Sequence, residues 1–144
     1  MEALLISACL MGFDCKYSGG SNALPASELS ALRQRYHLIP VCPEVAGGLP
    51  VPRVPSERRG ERVVTRDGRD VTAEYRRGAE IAARLAERFG IKKALLKSNS
   101  PSCGAEHVYD GSFSGRLVEG QGITAELLMN KKLIISGKSS SFLE

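Results

Sequence analysis

Tryptophan is absent from this 144-residue chain, and tyrosine and phenylalanine supply only four residues each. That scarcity argues against an aromatic platform of the kind that stacks single-stranded nucleic acid. No apolar run reaches the ~18 residues that a membrane-spanning helix needs. No CxxC pair occurs and His37 and His107 are the only histidines, so zinc-ribbon spacing is absent. Neither charge dominates: 20 Lys and Arg against 16 Asp and Glu give a net charge of +4. Such a surplus is compatible with anionic ligands or RNA but too small to indicate either, and nucleic acid is not an expected partner. Ile6-Ser7-Ala8-Cys9 resembles a lipoprotein cleavage site, yet no basic residue precedes it. A secretory signal needs a basic start and a longer apolar stretch, so the chain is expected in the cytoplasm, without a membrane partner.

What is present is ordinary for a globular protein: 42% hydrophobic and 25% charged residues. The length suits one domain, residues 1–144, with a core that needs no disulfides. Leu4 to Ala8 reads as a buried parallel strand. Gly12, Gly19 and Gly20 mark a long loop, and Pro25 opens a helix through Leu29, Leu32 and Tyr36. His37 to Val41 reads as a second strand, and residues 42–60, rich in Pro and Gly, as irregular. A hairpin is expected from Glu61–Thr65 and Arg69–Val71 around Asp67-Gly68. Thr72 is the expected N-cap of a long helix, with an apolar stripe from Tyr75 to Phe89 that ends at Gly90. Lys93 to Leu96 reads as a third strand, residues 108–119 as a hairpin, Thr124 to Met129 as a short helix and Leu133 to Ser136 as a fourth strand. The Ser- and Lys-rich tail from Gly137 is expected to fray. Strands alternating with helices predict an α/β fold: one mostly parallel, Rossmann-like sheet flanked by helices.

In such sheets ligands bind beyond the carboxyl ends of the strands. Cys9 follows the first strand, Cys42 the second, and Cys103 lies in the loop after the third. Three thiols distant in sequence are thereby brought to one rim, and thiolates select zinc or iron–sulfur clusters. Free cysteine is also a common buried hydrophobe, so placement alone leaves both readings open. Cys15, in the same loop as Cys9, is a fourth ligand, a spare thiol or a small core residue.

Three motifs narrow the choice. Ser7-Ala8-Cys9-Leu10-Met11-Gly12 with Lys16-Tyr17-Ser18-Gly19-Gly20 resembles the opening motif of the thiouracil desulfidase family. Pro40-Val41-Cys42-Pro43-Glu44-Val45, with Gly47-Gly48-Leu49-Pro50 and Pro52-Arg53-Val54-Pro55, is similar to its second motif. Lys97-Ser98-Asn99-Ser100-Pro101-Ser102-Cys103-Gly104 is similar to its third. The resemblance covers residues 3–136 and implies a [4Fe-4S] cluster held by Cys9, Cys42 and Cys103, one iron lacking a protein thiolate and left open as a Lewis acid. It further implies removal of sulfur from a thiopyrimidine such as 2-thiouracil, a small-molecule substrate, to give the oxo base and sulfide. Glu44 matches the family's catalytic glutamate, a base for water, and Ser100 its active-site serine.

Weaker expectations attach to three neighbours. Tyr17 is a candidate ring contact, Arg53 a substrate ligand or a brace for Glu57, and Ser98 a substrate contact or a shaper of its loop. Glu57-Arg58-Arg59-Gly60-Glu61-Arg62 reads as a solvated hairpin face. Two other functions stand beside the desulfidase: a non-catalytic iron–sulfur or zinc protein that senses or delivers metal, and an accessory acting on thiouridine in tRNA. Glu44 and Ser100 within the cysteine motifs favour the enzyme, since a sensor has no need of them. The sequence leaves the oligomeric state unknown.

Overall fold

The computed structural model describes residues 1–144 and is built on a four-stranded, wholly parallel sheet. In chain order the elements are β1 (Glu2–Ser7), α1 (Ala26–Arg35), β2 (Tyr36–Val41), α2 (Pro43–Ala46), β3 (Ser56–Arg59) and β4 (Arg62–Thr65). They continue with α3 (Thr72–Arg88), β5 (Lys93–Leu95), β6 (His107–Tyr109), β7 (Leu117–Glu119), α4 (Ile123–Asn130) and β8 (Ile134–Ser136). The sheet order is β2-β1-β5-β8, so the chain steps outward from β1 to β2 and then returns across β1 to β5. The carboxyl ends of β1 and β5 thus flank the point where the strand order reverses, the place where such sheets leave a crevice.

Alternation along β1 assigns the two faces. Leu4 and Ile6 pack with Leu32 of α1, Tyr36, Leu95 and Phe142. Leu5 packs on the opposite face with Ala82, Ala83 and Ala86 of α3 and Ala125 and Leu128 of α4. All three β1 residues are fully buried, as a strand covered on both sides requires. The alanines of α3 let that helix lie close to the sheet.

Several expectations are corrected. The stretch 42–60 is not wholly irregular: it holds α2 and β3. The main hairpin pairs β3 with β4, register Ser56↔Thr65, while Arg69–Val71 adds one bridge, Val64↔Asp70, to its far side. Thr72 is not the N-cap of α3. Asp70 Oδ1 accepts its N–H at 2.9 Å, and the Thr72 Oγ1 accepts the Val63 N–H at 2.9 Å. Phe89 falls off the apolar stripe and is exposed. The tail does not fray: Ser139–Phe142 forms a 3-10 turn, Phe142 is buried, and the Tyr36 hydroxyl donates to its carbonyl at 2.9 Å. In the segment 57–62, residues 59–62 are exposed as expected, but the first two are not. Glu57 is buried, and Arg58 donates to Glu126 at 2.8 Å and to the Gln121 carbonyl at 2.7 Å, tying the hairpin to α4.

Candidate active site at the cysteine rim

A cavity of about 450 Å³ opens at the carboxyl ends of the strands, and all eight predicted site residues line it: Cys9, Cys42, Cys103, Glu44, Ser100, Tyr17, Arg53 and Ser98. Cys15 lines it as well, and all four cysteines are free.

Each cysteine is placed by a different device. Cys9 lies in a 3-10 turn, Ala8–Met11, that Gly12 closes in the left-handed region (φ 97°). Its carbonyl accepts the Asn22 N–H at 3.0 Å, while the Asn22 side chain hydrogen-bonds its thiol. Cys42 immediately precedes α2, whose seat is a backbone-to-backbone approach to α3. A Cβ on Gly78 would fall on the Pro43 carbonyl, and one on Gly47 on the Glu74 carbonyl. Cys103 sits in a loop bolted to α4: the carbonyls of Pro101 and Ser102 accept the first N–H groups of that helix at 2.9–3.1 Å. Those amides have no partner inside the helix, so the loop is also its cap. The Ser100 Oγ accepts the N–H groups of Ser102 and Cys103, at 3.0 and 3.1 Å.

The thiols share one electrostatic neighbourhood. The Cys42 Sγ lies 3.7 Å from the Cys15 carbonyl oxygen and 4.0 Å from Glu44 Oε1. Burial pushes the Cys9 and Cys103 thiols up, against hydrogen bonds from Asn22 and Ser7 respectively. Burial and the adjacent Cys42 push Cys15 up to about 12. All three therefore favour the neutral thiol, and a metal group held by Cys9 and Cys103 would expel the protons of those two.

Glu44 reaches into the same space. Its carboxylate lies 3.7 Å from the Arg53 guanidinium, both side chains nearly buried. Burial raises its carboxyl above the ordinary range, more than Arg53 and the Ser100 hydroxyl lower it. Arg53 therefore braces Glu44, not Glu57. Glu57 Oε1 instead accepts the N–H groups of Gly111 and Phe113. Ser98 is exposed at the cavity edge with its hydroxyl against Gly137, and Tyr17 stands half-exposed at the mouth. The Tyr17 carbonyl accepts the Arg53 N–H at 2.8 Å, joining the first loop to the second.

Sequence reasoning missed Asn22 and Tyr75. Asn22 belongs to none of the matching motifs. Tyr75 carries an apolar ring on the helix stripe, which is what periodicity detects, while its hydroxyl sits in the cavity beside Ser56. No spacing signal distinguishes that tyrosine from a core residue.

The model of the 2-thiouracil desulfurase family matches residues 4–138. The chain belongs to that family. It is 36% identical over 135 residues to the uncharacterized protein YbbK of Bacillus subtilis (strain 168), covering 87% of this chain and 88% of that one. It superposes with a TM-score of 0.90 on the solved structure of the [4Fe-4S]-dependent thiouracil desulfidase TudS, at 47% identity, covering 94% of this chain and 89% of that one.

The donor set fits an iron–sulfur cluster. The donors are soft sulfurs on three separate loops around one cavity. They are near enough for Cys42 to act on the Cys9 thiol, and Cys9 on that of Cys103.

Proposed function

We propose that this protein is an iron–sulfur-dependent desulfidase that converts the thiocarbonyl of a thiopyrimidine, such as 2-thiouracil, to a carbonyl, with release of sulfide. The observation that carries the reading is that Glu44 and Ser100 stand in the cavity of the three rim cysteines, in contact with their loops. Cys9, Cys42 and Cys103 hold a [4Fe-4S] cluster, and Cys15 remains unligated. Bound there, the cluster supplies an open Lewis-acid iron for the substrate's sulfur. Glu44 takes the proton from the water that attacks the ring carbon and returns it as the carbon–sulfur bond breaks. The balance is C=S plus water to C=O plus hydrogen sulfide, with no change in redox state. Arg53 and the Ser100 hydroxyl both hold the Glu44 carboxylate, so the base is already aimed before substrate arrives. A cavity of about 450 Å³ is within the usual range for a small heterocycle. Tyr17 and, at the cavity edge, Ser98 contact the substrate more peripherally. Four free cysteines accord with a reducing compartment, and no helix is long and apolar enough to cross a membrane. The setting we assign is the cytoplasm.

Glu44→Gln tests the assignment. The near-isosteric amide keeps the loop and the aim of Cys42, so anaerobic reconstitution yields ordinary colour and iron content. Sulfide release per cluster falls by at least ~10²-fold, the usual worth of a general base. Undiminished release per cluster would leave Glu44 a structural residue of its loop. Coloured wild-type protein that releases sulfide from no thiopyrimidine would favour a metal sensor.

A further inference from the structure

The segment between β6 and β7, residues 110–116, is organised out of proportion to a surface connection. Glu57 on β3 is 8% exposed, and its Oε1 accepts two N–H groups of that segment: Gly111 at 2.9 Å and Phe113 at 3.0 Å. Arg59, two residues further along β3, donates from Nε to the Gly111 carbonyl at 2.7 Å. Asp110 Oδ1 accepts from the Ser112 N–H and hydroxyl at 2.9 and 2.6 Å. Phe113 itself adopts a left-handed backbone (φ 59°), unfavourable for an aromatic residue and sustained only by a frame that over-determines it. Its ring lies 5.9 Å from the Arg59 guanidinium and 5.7 Å from that of Arg66. These devices hold Phe113 where the cavity meets solvent, among Tyr109, Arg66 and Gly115. No packing need explains them, because Phe113 belongs to none of the three hydrophobic clusters.

We infer that Phe113 is a specificity-determining residue, the apolar wall against which the outer edge of the substrate ring packs, and that Glu57 is its positioning residue. Strain retained at a cavity mouth points to a role in binding, and a ring pinned between cations presents a fixed surface instead of a mobile one. The inference rests on the proposed desulfidase reading and adds to it a part outside the three cysteine motifs.

The test uses the reconstituted full chain with 2-thiouracil. Phe113→Ala raises KM about tenfold, the combined worth of one aromatic contact and its buried area, and leaves kcat and cluster absorption unchanged. Phe113→Tyr restores KM. Glu57→Leu, which leaves both N–H groups without an acceptor, raises KM to a similar degree. Glu57→Gln retains an acceptor oxygen and behaves nearly as wild type. The double variant Glu57→Leu/Phe113→Ala is no worse than Phe113→Ala alone, because both act through one ring. If Glu57→Leu does not fold, the Phe113→Ala and Phe113→Tyr pair decides by itself. Normal wild-type turnover with an unchanged KM in Phe113→Ala overturns this inference alone, as does full additivity in the double variant. Absence of sulfide from the wild type overturns the proposed function and this inference together.

Discussion

Gly78→Ala is the substitution that most directly probes how the second cysteine is held. Gly78 lies in the middle of α3, where alanine is the better helix former by ~1 kcal/mol. Judged by propensity alone, the change stabilises. The structure gives the opposite sign, because the new Cβ would fall on the Pro43 carbonyl, with the Pro43 Cα close behind it. Both sides of that contact are backbone, so no side chain can swing away, and α2 must lift off α3. Overpacking typically costs ~1–3 kcal/mol, and a rigid contact belongs at the top of that range. Set against the gain in propensity, the net loss is about 2 kcal/mol. For a chain of this size that lowers Tm by roughly 4–8 °C. The displacement falls on Pro43, one residue from Cys42 and one from Glu44, so iron content per chain drops more steeply than stability does. The assay is a urea midpoint on the metal-free protein beside iron content after anaerobic reconstitution. Arg76→Ala, on an exposed side chain of the same helix, serves as the control. A Gly78→Ala protein with a raised midpoint and full iron content would refute the idea that the Gly78 contact seats the cysteine.

Three further outcomes are expected. Ser100→Ala leaves the N–H groups of Ser102 and Cys103 without their acceptor, so it loses iron as well as turnover; Ser100→Thr keeps both to a greater degree, and iron content measured beside sulfide release checks the order. Cys9→Ser, Cys42→Ser and Cys103→Ser each abolish cluster absorption, whereas Cys15→Ser keeps it; bleaching by Cys15→Ser would make Cys15 a ligand. Asp70, held down to about 2 by hydrogen bonds from Thr72 and then Arg62, stabilises the fold above its unfolded pKa near 3.9, and that contribution is lost as pH falls from about 4 toward 2. Acid titration of Asp70→Asn by circular dichroism therefore shows a shallower loss of stability across that window than wild type does.

The alternation of strands and helices was legible because each long element carries its own period. Leu4 to Ile6 reads as covered on both faces, and the alanines of α3 mark a buried stripe. The site was legible for a different reason: the rim rule converts three cysteines that follow strands into neighbours without any knowledge of their contacts. What escaped was structure without periodicity. Four residues of α2 among prolines and glycines cannot display a helical repeat, and a 3-10 turn in a Ser-rich tail looks like disorder until Phe142 finds its pocket. Glu57 escaped because a charge in an Arg-rich run looks solvated, and only the amides of residues 111 and 113 reveal why it is buried. Of the two roles open to Arg53 in the sequence, proximity offers Glu57 as the carboxylate to brace, whereas the fold turns Arg53 back toward Glu44.

The strand order β2-β1-β5-β8 has a consequence for the life of the molecule. The three rim cysteines arrive on three separate strand exits and meet only when β5 has docked beside β1 and α4 has received the carbonyls of Pro101 and Ser102. A zinc finger gathers its metal first and folds around it; on the proposed ligand set the order is reversed here, since Cys9, Cys42 and Cys103 lie 33 and 61 residues apart along the unfolded chain. If those three cysteines hold the cluster, the chain must reach its fold before it can load one, so metal-free protein is expected to be folded.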